Sequence, residues 1–181
     1  MPWEERLLDL FDDLEQQAEG LALAARDVEV AEQSRAEYAA VDLASRLHAS
    51  IGARVLLGLT GVGQVDGRLL RVGEGWCLLG AAPQEWIVRS AAITSARGIS
   101  DRGLGVDARP VTARLGLASA LRSVADMRSP AVLHRLDGSL TRGVPGRVGA
   151  DFVEIRVGEE AGSAGYVELV PFAALSALRT A

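Results

Sequence analysis

The feature that most limits what this chain can fold into is an internal repeat. Ile87 to Arg97 reads IVRSAAITSAR, and 82 residues later Leu169 to Arg179 reads LVPFAALSALR, with Val, Ala, Ala and Arg identical. Upstream, at a spacing of 76, GRLLRVGEGWCLL from Gly67 meets GVPGRVGADFVEI from Gly143. Gly67 then matches Gly143, Arg71 matches Arg147, Val72 matches Val148 and Gly73 matches Gly149, while Trp76 faces Phe152. The six-residue change of spacing falls in GEEAGSAG, Gly158 to Gly165, a polar loop in which an insertion costs little. Ordered blocks joined by a loop-only gap argue for duplication of one small unit.

The unit itself reads as β-structure. From Ile51 onward the chain runs ARVLLGLTG, VDGRLLRVG, WCLLGA and EWIVRSAAI, short apolar stretches bounded by glycine and proline. Glycine-rich GLTGVGQVDG leads into a strand rather than a helix, so it reads as a hairpin turn and not as a phosphate-binding loop. A polar stretch from Gly98 to Pro110 interrupts, and Val111 to Asp126, VTARLGLASALRSVAD, has the spacing of one amphipathic helix. Strands resume with AVLHRLDG, RGVPGRVGADFVEIRVG and GYVELVPF.

A different kind of segment precedes the repeat. Met1 to Ser50 carries 12 acidic residues against 4 arginines, whereas Ile51 to Ala181 carries 12 against 15, so an acidic element leads into a mildly basic body. Leu7, Phe11, Leu14, Ala18, Leu21, Ala25 and Val28 recur at steps of four and three, the seam of an amphipathic helix. After Val28 the apolar phase shifts to Tyr38, Val41, Leu43 and Leu47, which fits one bent helix or a helical hairpin. The seam is read either as a partner or self-association surface or as packing onto the body.

Composition removes several chemistries. The start, MPWEERLLDLFDD, is acidic where a secretory signal is basic, and no apolar run nears the roughly 20 residues of a membrane span, so the expectation is a cytoplasmic protein without membrane contact. One cysteine, Cys77, and two separated histidines, His48 and His134, make neither a disulfide nor a metal cluster, and no cofactor is expected. All 19 basic residues are arginine, which rules out a P-loop lysine or a Schiff base. The acidic pairs Asp12–Asp13 and Glu159–Glu160 are sequence neighbours that converge on no site, so the chain is read as non-enzymatic.

The glycine pattern around Gly67, Gly73, Trp76 and Leu78, repeated as Gly143, Gly149, Asp151, Phe152, Val153 and Ile155 and followed by AAITSARG and AALSALR, resembles the Sm-like small barrel. PRC-type barrels share most of it. The resemblance implies an α+β chain: an acidic helical segment over 1–50, a first small β-barrel over 51–98, a connector with a helix over 99–129 and a second small β-barrel over 130–181. It also implies ring assembly and RNA contact, with an acidic position at Asp151. The family's base-contacting asparagine has no counterpart, since the chain contains none and Leu78 and Glu154 stand nearest.

Two functions are therefore expected. The first is a nucleic-acid-associated regulatory protein, binding RNA before DNA, with Arg97, Arg102, Arg109, Arg114, Arg122 and Arg128 of the connector region as phosphate contacts. The second is an interaction or scaffold module, a homo-oligomer or the partner of another protein, held through Leu7, Phe11, Leu14, Leu21 and Val28 and through barrel edges.

Overall fold

A computed structural model of the protein describes residues 20, 26, 29, 32–36, 38–158 and 165–180. The chain divides into two units, Met1–Asp42 and Leu43–Ala181. Described residues between 20 and 39 are helical, whereas the seam positions Leu7, Phe11, Leu14, Leu21 and Val28 lie outside the described residues. Among the described residues, all the strands lie in the second unit.

That unit opens with helix α1 (Leu43–Ala49) and continues with β1 (Arg54–Leu59), β2 (Gly63–Gly73), β3 (Trp76–Ala81), β4 (Gln84–Arg89) and β5 (Ile93–Arg97). Helix α2 (Leu117–Met127) is followed by β6 (Ala131–Arg135), β7 (Leu140–Val148), β8 (Phe152–Val157), β9 (Tyr166–Pro171) and β10 (Leu175–Thr180). All ten strands form one antiparallel sheet in the order β5-β1-β2-β3-β4-β10-β6-β7-β8-β9.

This corrects the expectation of two tandem Sm-like barrels. Within each set of five, the end strands of the order do not pair with each other, so neither set closes; β4 instead pairs with β10. The reason is the edge. A strand with unpaired N–H and C=O groups is a template for another strand, and the one charge on β10, Arg179, does not block its edge: it pairs with Trp86 of β4 and sets its guanidinium 5.5 Å from that indole.

Duplication is visible in the registers. Val55 pairs with Gly67 and Ala131 with Gly143; Cys77 pairs with Val88 and Val153 with Val170; Leu57 pairs with Ala96 and Leu133 with Leu178. Even the irregularities recur, with a bulge at Thr94 between β1 and β5 and another at Ser176 between β6 and β10. The spacings of 76 and 82 hold throughout, and the change occurs between Val157 and Tyr166, which pair across the loop as Ala81 pairs with Gln84.

Gly73 and Gly149 show why the glycine match mattered. Each lies under the aromatic ring that opens the next strand, Trp76 or Phe152, so close that a β-carbon on either glycine would enter the ring. Large aromatics at those positions demand glycine opposite, and the pair was copied together.

The repeat also reaches further than the strands. Leu43-Ala44-Ser45-Arg46-Leu47 in α1 matches Leu117-Ala118-Ser119-Ala120-Leu121 in α2 at a spacing of 74. Leu47 packs with Val55, Leu57, Cys77, Leu79 and Val88, and its counterpart Leu121 packs with Ala131, Leu133, Val153, Ile155 and Val170. The two cores exchange residues across the junction. Ile87 and Trp76 belong to the second core, and Ala177 belongs to the first. Burial pushes the Cys77 thiol up to about 12, which leaves it an unreactive core residue.

The helix expected over Val111 to Asp126 is shorter than its periodicity suggested. Val111–Arg114 forms a 3-10 turn, and α2 begins only after Gly116. The Leu115 carbonyl explains the break: it accepts hydrogen bonds from Trp76 Nε1 at 2.7 Å and from the Glu74 backbone N–H at 3.1 Å, which hold the chain extended against the β2–β3 turn.

Candidate nucleic-acid interface

Helix α2 lies across β7 and lines a cleft of about 850 Å³ with β7, β8 and β9. Four guanidinium groups surround it. Arg122 and Arg128 come from α2 and its C-terminal cap, Arg147 from β7 and Arg156 from β8, with Asp126 and Glu154 as the acidic neighbours. Arg128 is placed by a left-handed cap with φ of 53°, the only non-glycine positive φ among the described residues, which ends the helix and turns the chain toward β6.

The arginines differ in what holds them. Arg147 makes a two-pronged pair with Glu154, Nε to Oε2 at 3.0 Å and Nη2 to Oε1 at 2.9 Å, and this carboxylate raises the guanidinium above its ordinary value. Glu154 is mostly buried, with a side chain 16% exposed, so the pair fixes the cleft wall. The Arg122, Arg128 and Arg156 side chains are engaged by no hydrogen bond or ion pair among the described residues, and each is exposed. Three unpaired cations and one paired cation facing a common hollow, with one unpaired acid, make a surface suited to anionic oxygens.

The other sequence-predicted arginines go elsewhere. Arg109 and Arg114 line a second cleft of about 700 Å³, with His48, Glu74 and Asp107, where Arg109 Nε donates to the Leu104 carbonyl at 3.2 Å. Arg102 is exposed in the connector, and Arg97 ends β5 at one edge of the sheet. Thus two of the six are brought together, two share a different hollow, and two stand alone. Arg147 and Arg156 escaped the sequence reading because they lie in strands of the second repeat. Arg147 did carry a signal, as the partner of Arg71 in the repeated Arg-Val-Gly turn.

Neither histidine forms a catalytic constellation. His48 is buried on α1. His134 on β6 lies at the junction, its ring 5.0 Å from that of Trp86, with the Arg179 guanidinium 5.5 Å from the same indole. Burial first, and then the charge of Arg179, hold the His134 imidazole below its ordinary value of 6.5. The folded state therefore favours neutral His134. Its contribution to stability is complete above that unfolded value and is lost as pH falls through it toward the lower folded value. The urea midpoint is expected to drop on acidification below about pH 6.5, and His134→Gln should reduce that drop while leaving the pH 8 midpoint less affected; equal pH profiles for the two proteins would contradict it.

Among the described residues, no group of His, Cys, Asp or Glu could hold a metal ion, and no helix is long and apolar enough to cross a membrane. Comparison of the chain with protein-family models and with curated proteins gives no match.

Proposed function

We propose that the protein is a nucleic-acid-associated regulatory protein, non-enzymatic, that contacts the sugar-phosphate backbone through the cleft between α2 and β7–β9. The observation that supports this reading is the convergence of Arg122 and Arg128 with Arg147 and Arg156, three of them without a side-chain partner among the described residues. Guanidinium groups match phosphate oxygens in a fork, and a hollow lined by them follows a backbone without reading bases. RNA is the favoured ligand because a single strand bends into a cleft of this size more easily than a duplex does.

Binding of a fluorescent single-stranded RNA should weaken steeply with salt. Changing Arg122, Arg128 and Arg156 together to alanine should lower the slope of log K against log salt by about 2, near 0.7 for each lost contact. Arg147 is left in place because its removal strands the Glu154 carboxylate. Arg54→Ala, which removes an exposed pair with Asp66 on β2, serves as the control and should leave the slope unchanged. Failure of the wild-type chain to bind at low salt, or an unchanged slope in the triple variant, would overturn the reading.

A further inference from the structure

Independently of any nucleic acid, the internal junction specifies how one copy of this chain joins another. We propose that β9 of one copy pairs antiparallel with β5 of the next, in the register that β4 and β10 use within the chain.

The argument rests on the duplication. By the repeat spacings, β9 is the counterpart of β4 and β5 is the counterpart of β10. Strands β4 and β10 pair with each other, whereas β9 and β5 are the two ends of the sheet. Counterpart residues differ in burial accordingly. Ile87 on β4 is 4% exposed and Leu169 on β9 is 58% exposed. On β10, Leu175 to Leu178 are all buried, while on β5 Thr94 and Ser95 are exposed. The chain thus carries one filled copy of a strand-to-strand joint and the two halves of an unfilled one.

The filled joint dictates the register of the other. Within the chain, Ala177 pairs with Val88, Leu178 with Ile87 and Arg179 with Trp86. Transferred by the repeat, these become Ser95 with Val170, Ala96 with Leu169 and Arg97 with Glu168. The transferred pairs are complementary. Ala96 leaves room for Leu169, and Arg97, which has no partner among the described residues, comes to lie opposite the Glu168 carboxylate. Glu168 is already held by Arg135 and by Thr141 Oγ1, so it is oriented before the second arginine arrives. Pro171, which cannot donate to a ladder, lies outside the three paired positions. Because the two surfaces differ, the contact is head-to-tail and builds a ring or an open chain of copies rather than a two-fold dimer.

The full-length chain tests this directly. Light scattering across a dilution series should show masses rising from 19.1 kDa in whole multiples with concentration. Leu169→Arg, at a position exposed in the single copy, should hold the mass at 19.1 kDa throughout while the circular dichroism spectrum stays unchanged. Ala96→Cys combined with Leu169→Cys should give a ladder of cross-linked chains with a short bis-thiol reagent, and Arg102→Cys with Leu169→Cys should not; Cys77 is buried and does not compete. A single 19.1 kDa species at every concentration would overturn the proposal. So would assembly that survives Leu169→Arg and gives no ladder from the paired cysteines, since the copies would then meet through another surface.

Discussion

Replacing Leu178 with alanine is expected to lower the free energy of unfolding by about 2–5 kcal/mol, the range for a fully buried leucine whose cavity collapses only in part. Leu178 has no exposed surface. It pairs with Ile87 of β4 on one side and Leu133 of β6 on the other, and belongs to the same core as Leu121 of α2. The loss therefore falls on the joint between the repeats as well as on one core. Its counterpart Ala96 shows what the position needs without a neighbouring strand: the same place at the sheet edge is filled by alanine, half-buried. Urea unfolding of wild type and variant measures the difference. A change within about 0.5 kcal/mol, as expected for an exposed apolar residue such as Leu169, would show that the joint is not packed.

The second large effect comes from a turn. Gly61 sits between β1 and β2 with φ of +72°, and a β-carbon there would run into the Arg135 carbonyl and lie 2.8 Å from the Leu136 carbonyl and 2.9 Å from the Gly138 N–H. Those atoms belong to the corresponding turn of the other repeat. Nearby, Ser176 Oγ donates to the Thr60 carbonyl at 2.6 Å, so the two turns are fastened across the junction. Gly61→Ala adds the left-handed backbone penalty, about 1 kcal/mol, to the displacement of a backbone segment that has no flexible side chain to yield. A loss of about 3 kcal/mol is expected from thermal or urea unfolding. Gly75→Ala, with φ of +76° but open space around its β-carbon, should show only the smaller backbone part.

The repeat was legible because its matches are packing requirements. Glycine under an aromatic ring, at Gly73 with Trp76 and Gly149 with Phe152, cannot drift without the partner changing, so the pair survives as a visible signature. The matching helices were equally present as Leu-Ala-Ser-x-Leu, but at a spacing of 74 they fall out of step with the strands by the length of a loop. Reading the connector helix as a linker concealed that it begins the second repeat. The shared sheet was not legible at all. Strands β4 and β9 are both apolar runs, and nothing within either states that one is paired on both sides and the other on one.

The candidate site shows the same limit. Arg122 and Arg128 were expected as phosphate contacts together with the other four connector arginines, and α2 with its C-terminal cap is what places both on the cleft. Arg147 and Arg156 join them only because α2 folds back across β7, a fact of packing. Conversely, Arg97, Arg102, Arg109 and Arg114 looked like one basic stretch, and the fold distributes them over a sheet edge, a loop and a second hollow.

The two unpaired edges, β5 and β9, follow from the joining of the repeats through β4 and β10 into a single sheet. Native-state amide hydrogen exchange over Trp86 to Val88 and Ala177 to Arg179 tests it most directly. These amides are expected to be among the slowest in the chain and to exchange together with those of β2, β3, β7 and β8, through global unfolding. Exchange at the junction orders of magnitude faster than within the two sets of strands would contradict the claim, and would mean that the repeats fold as separate bodies.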